Sequence, residues 1–220
     1  MKLWRTERTK GMQKLDSRIE HSLEPIVARW ADQDKGLLFP LFQLIASGKP
    51  HDDARLAENL GRGKDSINAV LSTSLAEIDS HGHVSELFGI TGEPTPHRIE
   101  VGEITLYSCC ALVAHTVPAI MQQAVTVESI DPINGSKIKL AISADSELQY
   151  FDPMTACGSM VDCAVEEVIA SPRTKFCCHV KHFATSESAR EFSNKSPARY
   201  VMTIEGFHEA AQWLYRRIWR

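Results

Sequence analysis

The stretch Leu106-Tyr107-Ser108-Cys109-Cys110-Ala111-Leu112 ends one kind of structure and begins another. The apolar run Ile104–Tyr107 reads as a strand, and Ala111-Leu112-Val113 reads as the opening of a helix, so Cys110 sits at the junction. A thiol at a helix N-terminus feels the positive end of the backbone dipoles, which favours its thiolate. A second pair of neighbouring cysteines stands in Phe176-Cys177-Cys178-His179-Val180, where Cys177 is expected to start a strand. If that strand lies beside the junction, two thiolates from separate elements can share one metal ion. Thiolate is the side chain that binds soft metals best.

Adjacent cysteines do not readily fill two vertices of a tetrahedron, and no C-x2-C spacing occurs, which argues against a structural zinc site. A lone reduced cysteine is usually a small buried apolar residue. That reading suits Cys109, Cys157 and Cys163 taken singly, but suits two separated cysteine pairs less well.

Outward from these pairs, the rest of the chain sets bounds. Its 220 residues, 43% hydrophobic and 24% charged, are ordinary for a globular protein. A chain of this size buries roughly 70% of its unfolded surface and needs no covalent staples. The formal net charge of −4 gives no reason to expect a nucleic-acid partner. Met1–Lys10 is charged with no apolar run behind it, unlike a signal peptide, and no stretch approaches the ~20 apolar residues that span a bilayer. The expected location is the cytoplasm, away from membranes, where thiols stay reduced.

The first part reads as helical. Helices are expected over 11–35 (with Leu15, Ile19, Ile26, Val27 and Trp30 on one face and Pro25 as a break), over Leu37–Ile45 up to Ser47-Gly48-Lys49-Pro50, from Asp52 or Asp53 to Leu60, and from Asp65 to Ile78. Asp79-Ser80-His81-Gly82-His83 reads as a hairpin tip. This order is that of a winged helix-turn-helix. Its recognition helix would carry Lys64 against Asp65 and Glu77, too little positive charge for phosphate contacts, which argues against DNA.

Gly89–Pro96 reads as a linker, and short strands follow. His97–Val101 pairs with Ile104–Tyr107 around Gly102-Glu103. Ala124–Ser129 pairs with Lys137–Ile142 around the Asn134-Gly135 turn. Cys163–Ala170, Cys177–Phe183 and Arg199–Ile204 are expected to be further strands. Helices are expected from Cys110, over Ser186–Ser193, and through a last segment with Phe207, Ala210, Ala211, Leu214, Tyr215 and Ile218 on one face. The fold class is α+β: a winged-helix-like subdomain over 1–88, then an antiparallel β-rich core over 97–220 with flanking helices. His81, His83 and His97 read as surface turn residues, and His208 as a packing histidine.

Both cysteine segments resemble those of the alkylmercury lyase (organomercurial lyase) family. Leu106-Tyr107-x-x-Cys110-Ala111-Leu112 with Pro118-Ala119 is similar to that family's first catalytic-cysteine segment. Phe176-Cys177-Cys178-His179-Val180 with Phe183-Ala184 is similar to its second, and His208-Glu209-Ala210 to a further stretch. The resemblance runs from about Leu37 to Ile218 and includes the helical part before a β-rich core. It implies protonolysis of a carbon–mercury bond by two cysteines, Cys110 and Cys177, with an aspartate moving the proton. It implies no organic cofactor, mercury as the metal carried by substrate and product, and cellular thiols to remove it.

The resemblance also marks departures. The aspartate position holds Val113, the position before the first catalytic cysteine holds Cys109 where a tryptophan-like residue is usual, and a third, structural cysteine of many members is replaced within Asp131-Pro132. Valine cannot transfer a proton. His115, His179, Asp131 and Cys109 are the candidate replacements, and Cys109 is also a possible third sulfur for the metal. His115 would point elsewhere on a regular helix. Two other readings stand beside the lyase: a metal-binding or metal-sensing protein that does not cleave, and a lyase of the same fold acting on a non-metal substrate.

Overall fold

A computed structural model describes residues 15–30, 35–46, 51–73, 76–196 and 198–219. Met1–Lys10, the first residues of the helix expected from 11, the Ser47–Pro50 stop and Leu75 lie outside the described residues, as do the side chains of Trp30 and Leu38.

Four helices come first: α1 (Ser17–Trp30), α2 (Lys35–Ala46), α3 (Asp53–Leu60) and α4 (Lys64–Thr73). Each buries an apolar stripe, with Leu23 and Ile26, Leu37 and Leu41, Leu56, and Ile67 with Val70 all turned inward. Asp52 caps α3 by accepting the Arg55 N–H at 2.7 Å. The fourth helix is described as far as Thr73, and Ile78, expected to end it, lies instead on a strand, 55% exposed.

The strands β1 (Glu77–Ile78), β2 (Val84–Leu87), β3 (Ile90–Thr91), β4 (His97–Val101) and β5 (Ile104–Ser108) follow. Two short helices, α5 (Ala111–Ala114) and α6 (Val117–Met121), lead to β6 (Val125–Ile130), β7 (Lys137–Ile142) and β8 (Leu148–Asp152). These strands form one antiparallel sheet in the order β1-β2-β3-β5-β4-β6-β7-β8, so the hairpin expected around Asp79–His83 is continuous with the large sheet. Both expected hairpins are present: His97 pairs with Ser108, and Val125 with Ile142. The strict alternation of β6 and β7 puts Val125, Val127, Ile138, Leu140 and Ile142 in the core.

The remainder holds β9 (Cys157–Val161), α7 (Val165–Ala170), α8 (Pro172–Lys175), a single 3-10 turn (Cys177–His179), β10 (His182–Phe183), α9 (Ser186–Ser193), β11 (Arg199–Thr203) and α10 (Ile204–Trp219). A three-stranded antiparallel sheet runs β10-β9-β11. Two strand expectations change here. Val165–Ala170 is helical, because Glu166 and Glu167 favour the N-terminal turn of a helix. Cys177 lies in the 3-10 turn, and its strand begins only at His182. Gly158 of β9 faces the Phe207 ring so closely that a Cβ there would overlap it. The two sheets and the helices share one main core cluster. Among the described residues, no helix is long and apolar enough to cross a membrane.

Candidate functional site

The β5–α5 junction forms where expected. Ser108 ends the strand and fixes the turn: its hydroxyl donates to the Cys110 carbonyl at 2.7 Å and accepts the Cys110 N–H at 3.2 Å. Cys110 is the residue before α5, with an extended backbone (φ −126°, ψ 127°). The second cysteine segment docks against it. The Ala111 N–H donates to the Val180 carbonyl at 3.2 Å, and the Lys181 ammonium donates to the Cys109 carbonyl at 3.3 Å.

This docking brings Cys109, Cys110 and Cys177 together, and the Cys177 thiol hydrogen-bonds with both other sulfurs. Cys110 is 1% exposed and Cys177 6%. Burial pushes the Cys110 thiol up, but the Cys177 hydrogen bond, the Val113 and Leu112 N–H groups and the Lys181 charge outweigh it, and the net shift is downward. Cys177 moves the other way, well above an ordinary thiol. The hydrogen bonds to Cys109 and Cys110 raise it first, and burial adds to them. Of the pair, Cys110 is the sulfur biased towards thiolate and Cys177 the one biased towards keeping its proton. Burial raises Cys157 and Cys163 to about 11, and both remain ordinary protonated thiols outside the cluster. Cys178 is exposed and donates to the Thr174 carbonyl.

Around the sulfurs is a small apolar pocket with a cavity of about 20 Å³, room for roughly one water molecule. Ile26 of α1, Phe88, Gly89, Val113, Phe176 and Leu214 of α10 line it. Two further linings are charged: Glu86 of β2, whose side chain is 7% exposed, and Arg173 of α8, which forms an ion pair with it. Arg173 also pairs with Glu77 at 2.8 Å. Desolvation raises the Glu86 carboxyl, and the Arg173 hydrogen bond and charge offset only part of that. Gly89 has φ +79°, and a Cβ there would lie 2.8 Å from the Cys109 sulfur. A wider groove of about 610 Å³ on the large sheet, lined by Glu100, Thr126, Asp145 and Glu147 among others, contains no thiol.

The other candidate proton donors are placed elsewhere. Asp131 is consumed by the N–H groups of Ile133 and Ala184, both at 2.9 Å. His179 accepts from the Arg199 guanidinium. His115 points away from the pocket, into a buried chain. Its Nδ1 meets His208 Nδ1 at 3.0 Å, and its Nε2 meets His182 Nε2 at 2.9 Å. His182 Nδ1 meets Ser129 Oγ at 2.8 Å, and Ser129 meets His97 Nδ1 at 2.9 Å. At the other end His208 Nε2 meets the Ser146 carbonyl at 2.9 Å. His97 is thus fully buried, not a surface turn residue, because it pairs into the middle of the sheet. His208 is the hydrogen-bonded packing residue expected.

Among the described residues, no group of three or more His, Cys, Asp or Glu side chains is disposed to hold a metal ion. Sequence reasoning missed Glu86, Arg173 and Lys181. The one available signal was an acid set among the apolar Val84, Leu87 and Phe88.

The family model described as alkylmercury lyase matches residues 90–216. The alkylmercury lyase of Staphylococcus epidermidis is 31% identical over 182 residues, which cover 82% of this chain and 82% of that protein. The alkylmercury lyase of Streptomyces lividans is 31% identical over 166 residues, 75% of each. The crystal structure of the mercury-bound form of MerB2 superposes with a TM-score of 0.73 at 17% identity, covering 92% of this chain and 100% of that one. That likeness is one of fold.

Proposed function

The chain belongs to the alkylmercury lyase family, and on that premise we propose that Cys110 and Cys177 capture an organomercurial and cleave its carbon–mercury bond by protonolysis. The observation that carries this reading is the unequal pair of sulfurs: Cys110 held towards thiolate, Cys177 held protonated, side by side in an apolar pocket. The Cys110 thiolate attacks mercury and expels its exchangeable ligand as an anion. Cys177 then adds as the second sulfur and gives up its proton. That proton ends on carbon, the carbon–mercury electron pair becomes the new C–H bond, and mercury stays divalent between two sulfurs. Soft-sulfur coordination makes carbon the basic site. Cys109 stands within reach as a third sulfur.

No organic cofactor enters this scheme; mercury is substrate and product. Cellular thiols would strip it from the pocket in a reducing cytoplasm, and neither DNA nor a membrane has a part. The helical part over 1–88 acts in this reading as a winged-helix-like subdomain that roofs the pocket of the 97–220 core, since Ile26 and Glu86 both line it.

The test is turnover. Reduced protein incubated with phenylmercury and excess small thiol should release benzene, measured by gas chromatography, over many cycles. Mercury bound one-to-one with no benzene would overturn the lyase and leave the metal-binding reading, which Val113 favours. A covalent carbon adduct on Cys110 without mercury would favour the non-metal substrate.

A further inference from the structure

Val113, at the position where the resemblance implies an acid, faces the thiol pocket. An acidic residue, Glu86 of β2, lines another wall of the same pocket. It is buried and ion-paired to Arg173, which itself lines the cavity. Burying a carboxylate is costly unless it is paired, and here the partner is supplied from α8, an element that also leads directly into the Cys177 turn. Among the described residues that line this pocket, Glu86 is the one carboxyl. The other acid near the motifs, Asp131, is tied up by backbone N–H groups.

We propose that Glu86 is the proton-transfer residue of this pocket, taking the Cys177 proton as the second sulfur binds mercury and delivering it to the departing carbon. This rests on the lyase reading above. The carboxylate accepts the thiol proton as the Cys177–mercury bond forms. The resulting carboxylic acid then gives that proton to carbon as the carbon–mercury bond breaks, and the carboxylate returns to its Arg173 partner. Atoms and charge balance with no oxidant or co-reactant, and Arg173 moves no proton. It holds the carboxylate at the pocket wall while Glu77 keeps its other guanidinium nitrogen occupied at 2.8 Å. Desolvation raises the Glu86 carboxyl despite Arg173, which favours its transient protonation.

The experiment compares benzene release from phenylmercury, with excess small thiol, by the unmodified protein, Glu86→Gln, Glu86→Asp and the double variant Glu86→Gln with Val113→Asp. Glu86→Gln should lose about 100-fold or more in kcat while still binding mercury one-to-one, and should lose the carboxyl limb of the pH–rate profile. Glu86→Asp keeps the charge on Arg173 but withdraws the carboxyl by one methylene. It should lose kcat with KM little changed, which tests the role even if the glutamine variant does not fold. The double variant should recover at least tenfold over Glu86→Gln, a rescue that a purely structural role would not give. A folded Glu86→Gln protein with unaltered kcat and pH profile overturns the role of Glu86 alone. No benzene from the unmodified protein overturns the lyase reading, and this assignment with it.

Discussion

At the scale of single residues, two sulfurs and a glycine define the pocket. Because the Leu112 and Val113 N–H groups, the Lys181 charge and the Cys177 thiol hold Cys110 below the ordinary thiol value of 9.0, ultraviolet absorbance of the thiolate should appear at lower pH than for a free cysteine. Cys110→Ser should abolish that early component, while Cys177→Ser should leave a thiolate but no dithiolate capture of mercury. Both variants should lose benzene release by at least about 100-fold, as expected when a nucleophile is removed. Gly89 makes a different prediction. Its φ of +79° and the 2.8 Å approach of a Cβ to the Cys109 sulfur mean that Gly89→Ala should cost about 1–3 kcal/mol in denaturant unfolding and should displace Cys109. Unchanged stability in that variant would show that the Phe88–Gly89 turn relaxes freely.

At the scale of elements, the short helix after Cys110 alters the argument for its acidity. Four residues make little of a macrodipole, so the thiolate is favoured by the Cys177 hydrogen bond first, with the Val113 and Leu112 N–H groups and the Lys181 charge adding to it. The strands with one wet face were legible because alternation reports burial directly, as in Lys137–Ile142. Leu148–Asp152 was not legible: it is an edge strand with exposed Gln149 and Tyr150 and no core-facing rhythm. Cys177–Phe183 reads as strand from the sequence because a short apolar run does not distinguish a strand from a buried turn. The two cysteine segments were legible as chemistry, but Glu86 was not. A single glutamate in a strand carries no pattern, and its meaning depends on Arg173, which is distant in sequence. Gly158→Ala tests the packing of β9 on α10. Displacing the Phe207 ring should cost about 1–3 kcal/mol in thermal or denaturant melts, and a neutral result would mean the ring has room to retreat.

At the scale of the whole molecule, the buried histidines tie distant parts together. His97 of β4, Ser129 of β6, His182 of β10, His115 after α5 and His208 of α10 join the large sheet to the small one and both to the last helix. Burial pushes His182 down to about 3, with the Lys181 charge adding to it, and burial is likewise the leading cause lowering His97, His115 and His208. An unfolded histidine titrates near 6.5, so below that pH the unfolded chain binds protons that the native protein refuses. Stability is then full above about 6.5 and falls as pH drops towards 3, by about 1.4 kcal/mol per pH unit from His182 alone. Urea unfolding at pH 7.5, 6 and 5 should show this decline, and equal midpoints across that range would contradict it. The same chain has a direction. A carbonyl can only accept, so Ser146 obliges His208 to carry its hydrogen on Nε2, which forces His115 to carry it on Nδ1, His182 on Nε2 and His97 on Nδ1. Nitrogen-15 resonances should therefore report tautomers that alternate along the relay, fixed by one peptide oxygen at the rim and ending on a bare His97 Nε2 that meets no donor among the described residues.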